Sequence, residues 1–264
     1  LKIESDSKED IPVLDSIKKN DVVIVEGLYD KVEVVLKLAN IPFTLIRKSD
    51  LAYRELSPDQ IMIINCPGKI PVSSFEKVKK FVSDGGYLFT TDWAIQFTLR
   101  GAIPDFIVPA GAETVDEIMP ITVSDEKSEF TKFITPPGGT PSWWEFYSYP
   151  IKILNSDAVK VLVKSQKMKA VYGSEAIAVV FSYGKGKVIH SCSHFYQARS
   201  ELRTSRQSTD ALSYVRDELK IDPARLEPAF RESLKTIRAG QIEDTYSVIR
   251  FIANVIIARK RNNK

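Results

Sequence analysis

Phe81-Val-Ser-Asp-Gly-Gly-Tyr-Leu-Phe-Thr-Thr-Asp-Trp-Ala94 joins a helix end, a double-glycine turn, a short strand and a new helix start. The helix before it presents Phe75, Val78, Phe81 and Val82 at helical spacing, and Gly85-Gly86 stops it. Tyr87-Leu-Phe-Thr90 is continuous strand-forming sequence, and Asp92 stands where a helix over roughly 93–100 begins. Upstream, Asp21-Val-Val-Ile-Val-Glu26 is an apolar run of the kind buried on both faces of a sheet. A helix over 29–40 follows with Val32, Val35, Leu36 and Leu38, then strands over 43–46 and 60–65, the latter ended by Cys66-Pro67-Gly68. This alternation predicts an α/β fold with an open, mostly parallel sheet and helices on both faces. In such sheets ligands bind at the carboxyl ends of strands. Here those ends hold Glu26 and Gly27, Asn65 to Gly68, and Thr90 to Trp93.

Downstream the pattern changes. Residues 105–172 carry Pro, Gly and short β-like pieces at 118–123, 151–154 and 159–163, with a Pro-Gly loop over 136–141 before Trp143-Trp144. They read as a β-rich insertion. Ala176–Tyr183 and Lys187–Cys192 form a hairpin across Gly184-Lys185-Gly186. The division expected is a linker or partly ordered segment over 1–19 and an α/β domain over 20–198. An added helical segment follows over 199–240, with helices at 203–219 and 223–238. A terminal helix within 241–264 docks Ile249, Ile252 and Ile256 on the sheet.

Composition narrows the class. The chain has 264 residues, 44% hydrophobic and 27% charged, and a net charge of +3. That size buries a core without staples, and the composition excludes wholesale disorder. Residues 199–264 carry 14 basic and 9 acidic residues, a balance too mixed to predict a nucleic-acid partner. No apolar run is long enough for a membrane span. Two cysteines make no disulfide framework, and they suit the reducing cytoplasm. The polar start from Leu1, with no Met, suggests a piece of a longer protein.

Three segments, in this order, resemble the class I glutamine amidotransferase-like superfold. They are Asp59 to Gly68, a central strand ending in a glycine-bearing oxyanion loop; Phe81 to Ala94, leading to the nucleophile turn; and Tyr183 to Phe195, the hairpin that delivers a histidine, with His194 matching best. The resemblance covers roughly 20–198 plus the last helix. It implies a flavodoxin-like sheet and is nearest in style to the trehalose-utilisation (ThuA-like) and gliding-motility/intraflagellar-transport (GIFT) branches. One departure stands out. Active members place a cysteine in a glycine-flanked turn, where this chain has Thr90-Thr-Asp-Trp-Ala94. The resemblance therefore implies a pseudoenzyme.

Catalytic candidates are Cys66, Asp92 and His194. Cys66 reads first as a buried thiol before a Pro-Gly turn, and second as a nucleophile activated by His194. Asp92 reads first as an N-cap, and second as a ligand-binding carboxylate or general base. His190 reads as a core histidine. Ligand-binding candidates are Glu26, Asn65, Gly68, Thr91, Asp92, Trp93 and His194. No metal site is expected, since no HxH or HExxH spacing occurs, and no cofactor is implied. Trp143, Trp144 and Tyr147 form an aromatic cluster that reads either as an interaction surface or as a satellite core. Arg199, Arg203 and Arg206 read as a solvated helix face or an anion site.

The function expected is a non-catalytic, protein-interaction or ligand-sensing module of a larger protein. Its partner would be another protein or another domain of its own chain. The alternative is a hydrolase or amidase using Cys66 or Asp92 with His194.

Overall fold

The computed structural model describes residues 7–136, 138–195, 200 and 202–262. Its centre is an eight-stranded sheet in the order β2-β1-β3-β4-β12-β11-β10-β7. Strands β1 (Val22–Val25), β2 (Thr44–Ile46), β3 (Ile61–Ile64), β4 (Tyr87–Thr91) and β12 (Gly186–Ser191) are parallel. Strands β11 (Ala176–Tyr183), β10 (Lys160–Lys164) and β7 (Thr122–Val123) continue the sheet antiparallel. Every residue of β1, β3 and β4 is buried, so the sheet is covered on both faces there. That is why these strands are continuous apolar runs instead of alternating ones.

Helix α1 (Ile11–Asp15) lies in the segment expected as a linker, and Asp10 beside it is fully buried. Helix α2 (Val32–Leu38) follows β1, and α3 (Phe75–Ser83) precedes β4. After β4 the chain makes a π-helical turn, Ile95–Leu99, that runs into α4 (Arg100–Ala102). The middle region supplies two small antiparallel sheets. One pairs β5 (Ile107–Pro109) with β9 (Ile151–Ile153), and the other pairs β6 (Asp116–Pro120) with β8 (Ser142–Phe146). Helix α5 (Gln166–Tyr172) is capped by Ser165, whose hydroxyl accepts from the Met168 N–H.

The added segment is less helical than expected. In place of a helix over 203–219 there is α6 (Ala211–Asp217). In place of one over 223–238 there are a 3-10 turn, Pro223–Arg225, and α7 (Pro228–Ser233). Hydroxyls compete with the helix ladder at 204–209: Gln207 N–H donates to Thr204 Oγ1, and Ser208 Oγ donates to the Thr204 carbonyl. Asp210 then starts α6 by accepting from the Ser213 N–H. The terminal helix α8 (Ala239–Arg261) is the longest among the described residues. Its Phe251 ring lies 5.9 Å from Phe89 of β4 and 5.1 Å from Trp143 of β8.

Candidate functional site

Strands β3, β4 and β12 lie side by side, with Ile64 opposite Thr90 and Thr91 opposite Ser191. Their carboxyl ends therefore deliver Cys66, Asp92 and His194 to one place. Cys66 Sγ donates to Asp92 Oδ2 at 3.3 Å. His194 Nε2 stands 3.1 Å from the same oxygen, but neither ring nitrogen of His194 makes an aligned hydrogen bond.

Asp92 has φ +42, a left-handed backbone that is costly for a side chain with a Cβ. Neighbours hold it there. Its N–H donates to the Ser191 carbonyl at 2.7 Å, and its Oδ1 accepts from the Tyr149 N–H at 3.0 Å. The expectation that Asp92 is an N-cap is corrected: Ala94 occupies that position. A capping residue has extended backbone, whereas the left-handed turn sends this carboxylate toward Cys66 and Tyr149.

Burial sets the protonation states. Asp92 is pushed well above the usual carboxylate range by burial first, then by the nearby Glu145 and Asp30 charges, against hydrogen bonds from Cys66 and Tyr149. Burial, then the Asp92 charge, pushes the Cys66 thiol up. Burial lowers His194 to about 4. At neutral pH the thiol is protonated and the imidazole neutral, so no thiolate–imidazolium pair forms. A donor in the loop that the resemblance would make an oxyanion loop is not free either. The Gly68 N–H is already donated to the Asn65 carbonyl at 2.9 Å, leaving it unavailable to a tetrahedral intermediate.

A cavity of about 310 Å³ opens over this cluster, lined by Tyr29, Trp93, Glu113, Phe146 and Tyr147 besides Cys66, Asp92 and His194. Trp93 Nε1 donates to the Tyr147 carbonyl at 2.7 Å, and its ring lies 6.3 Å from that of Tyr29. Of the other ligand-binding candidates, Glu26 and Gly68 line a separate cavity of about 220 Å³. Asn65 and Thr91 are buried and serve the scaffold. Asn65 accepts from the Val32 N–H and donates to Glu33, while Thr91 Oγ1 accepts from the Cys66 N–H.

The aromatic cluster is corrected in part. Trp143 and Trp144 are 1% and 4% exposed, because β8 pairs with β6 and packs under α8. They are core and present no interaction surface, whereas Tyr147 is half exposed. Arg199 lies outside the described residues. Arg203 is exposed and donates to the Thr140 carbonyl, and Arg206 pairs with Glu218 and Glu243; neither stands on a helix, since none forms over 203–206. His190 is fully buried, with Nδ1 2.9 Å from Thr90 Oγ1, and burial lowers it to about 3.

Sequence reasoning missed Asp30, Glu113, Glu145, Tyr29 and Phe146. Asp30 Oδ1 accepts from the Lys31 and Phe195 N–H groups. Glu145 is fully buried, accepts from Ser193 Oγ at 2.5 Å, and is raised by burial to about 7. An acid between aromatic residues, as in Trp144-Glu145-Phe146, was the one available signal. Local sequence spacing does not reveal one further grouping. Cys66, Asp92 and His194 follow the ends of three separate strands, and among the described residues they form a group able to hold an ion, with ligand atoms within 4.8 Å of one another.

No protein-family profile and no curated protein matches the chain. Solved structures do. A glutamine amidotransferase from Thermotoga maritima is 11% identical over 92% of this chain and 98% of its own, with a TM-score of 0.51. A chain of the PurLQS structure from Thermotoga maritima is 13% identical over 69% of this chain and 90% of its own, with a TM-score of 0.53. A β-galactosidase from Rahnella sp. R3 matches 67% of this chain at 14% identity and a TM-score of 0.46, and this chain spans only 29% of its length. The two Thermotoga likenesses establish a class I glutamine amidotransferase-like α/β fold.

Proposed function

We propose that this chain is a non-catalytic binding module on an amidotransferase-like scaffold, and that its ligand sits at the carboxyl ends of β3, β4 and β12. The observation that carries this reading is the cavity over Cys66, Asp92 and His194. It has aromatic walls of Trp93, Phe146 and Tyr147 and acids at Asp92 and Glu113. Its volume is at the low end of small-molecule sites, about 300–1,000 Å³. The ligand is a small polar molecule with one flat apolar face, able to lie on an aromatic ring and donate to a carboxylate. The protonated thiol and the occupied Gly68 N–H argue against thiol-dependent acyl transfer. The strand order supports a flavodoxin-like sheet, and the substituted nucleophile turn supports a place beside the ThuA-like and GIFT branches. The module belongs, in this reading, to a larger cytoplasmic protein whose other domains or partners respond to the ligand.

The test is a small-molecule panel read by intrinsic tryptophan fluorescence and thermal midpoint, with Tyr147→Ala and Glu113→Gln alongside. Saturable binding weakened about tenfold or more by either change supports the reading. Binding indifferent to both, or none across polyols, sugars, amino acids and nucleosides, sinks it. Glutaminase activity is expected to be nil.

One observation favours a second reading. Asp92 occupies the nucleophile turn with a left-handed backbone, and strain of that kind gathers at active sites. A hydrolase would use Asp92 as general base beside His194. Ester or amide hydrolysis lost in Asp92→Asn, with folding intact, would establish it.

A further inference from the structure

We propose that Cys66, Asp92 and His194 are three ligands of a zinc(II) site whose fourth position opens to the cavity. The donors are one sulfur, one carboxylate oxygen and one imidazole nitrogen. This mixture suits borderline-soft Zn²⁺ and disfavours Mg²⁺ and Ca²⁺, which take oxygen ligands.

The spacing fits. Zinc bonds of about 2.3 Å to sulfur and about 2.0 Å to nitrogen and oxygen give tetrahedral edges of about 3.3–3.6 Å. Cys66 Sγ and Asp92 Oδ2 are 3.3 Å apart, and His194 Nε2 is 3.1 Å from the same oxygen. All three ligand atoms lie within 4.8 Å of one another, so closing the third edge needs at most a small side-chain movement.

A second observation is independent of spacing. His194 is 2% exposed, and neither ring nitrogen has a hydrogen-bond partner. Leaving a buried polar group unpaired costs about 1–3 kcal/mol, so such groups call for a partner. The Nε2 contact with Asp92 is short yet misaligned for hydrogen bonding. A nitrogen and an oxygen placed in this way are arranged as two ligands facing one ion.

Charge also balances. A thiolate and a carboxylate carry two negative charges, which neutralise Zn²⁺ in a buried place. Binding forms one bond each from sulfur, carboxylate oxygen and imidazole nitrogen to zinc, and releases to solvent the thiol proton and any proton held by the buried Asp92 carboxyl. All three residues line the cavity, which leaves room for a water or a ligand donor as the fourth group. Three protein ligands with one open position is the pattern of zinc sites that engage a ligand. The inference deepens the binding reading by giving the pocket an anchor for an anionic or hydroxyl-bearing ligand.

The experiment uses the full chain, freed of metal with chelator under reducing conditions, titrated with Co²⁺ and then Zn²⁺. Expected are one cobalt per chain, tetrahedral visible bands, and a sulfur-to-cobalt charge-transfer band that Zn²⁺ abolishes. Cys66→Ser should remove the charge-transfer band, Cys192→Ser should keep it, and His194→Ala should weaken binding at least tenfold. No saturable binding, or a charge-transfer band that survives Cys66→Ser, overturns the proposal. Should the variants fail to fold, X-ray absorption of the wild type with one zinc equivalent decides. One sulfur at about 2.3 Å beside lighter ligands at about 2.0 Å supports the site, and a shell without sulfur refutes it. Organic-ligand binding to metal-free protein would keep the binding reading alive even if zinc fails.

Discussion

Asp92 gathers a left-handed backbone, complete burial and neighbouring acids in one residue, and each is unfavourable on its own. Gly68 packs against Ala94, two residues after Asp92. With φ +68, an added Cβ there would meet Ala94 Cβ at 2.5 Å and Ala94 Cα at 2.7 Å. Gly68→Ala should therefore cost about 2–4 kcal/mol, read by urea denaturation. Glu145 gives a pH signature. Burial raises it from 4.5 to about 7, so the folded chain holds a proton that the unfolded chain has released between those values. Stability from this group is full below about pH 4.5 and falls as pH rises toward 7. Glu145→Gln removes that fall, so the variant should gain on the wild type between pH 5 and pH 8. A constant difference across that range would contradict it. His190 and His194 act in the opposite sense. Burial lowers them to about 3 and about 4, so their contribution weakens as pH falls below about 6.5. Iodoacetamide should leave Cys66 unmodified in the native, metal-free protein at pH 7.5 and react only on unfolding. Rapid native alkylation would revive the thiol nucleophile.

Among elements, the seam between α8 and β8 ties the insertion to the sheet. Trp143 Nε1 donates to Ser247 Oγ at 2.9 Å, and the Ser142 N–H donates to Asp244 Oδ1 at 2.6 Å. The Trp143 ring packs edge-on to Phe195 at 5.3 Å and beside Phe251 at 5.1 Å. Trp143→Ala should cost about 3–5 kcal/mol, seen in the denaturation midpoint. A change of a few tenths would mean the ring is not core. At the other end of the helix face, Asp10 binds Arg250 at 2.5 Å, Arg261 at 2.8 Å and Lys132 at 3.0 Å. Burial alone would raise this carboxyl, but the bonds and charges of Lys132 and Arg250 win and hold it below the usual range. Asp10→Ala leaves Arg250 buried with one partner fewer and should cost about 3–5 kcal/mol. These residues also show where local reading fails. Asp10 in a polar start reads as linker, because its partners lie more than a hundred residues away.

For the whole molecule, α8 is an integral wall. Phe251, Ile252, Val255 and Ile256 are within 2% of complete burial, and Phe251 contacts the central strand through Phe89. A chain ending at residue 238 should lose its cooperative thermal transition and bind hydrophobic dyes. A sharp transition retained without α8 would show it to be an appendage. Among the described residues no helix is long and apolar enough to cross a membrane.

The amino-acid sequence by itself determined the parallel strands, because burial on both faces demands unbroken apolar runs such as 61–64 and 22–25, and Gly85-Gly86 and Pro67-Gly68 punctuate them. It also marked Cys66, Asp92 and His194 as strand-end residues. Only the tertiary structure decided what they are together. Strand order placed β3, β4 and β12 side by side, and that adjacency brings 66, 92 and 194 within bonding range although no local spacing encodes it. Tertiary packing likewise decided between the two readings of Trp143-Trp144 in favour of a core strand, and folded a polar N-terminal aspartate against an arginine 240 residues away. Burial, charge pairing and backbone strain are set by neighbours distant in sequence, and they fixed the protonation and reach of the site.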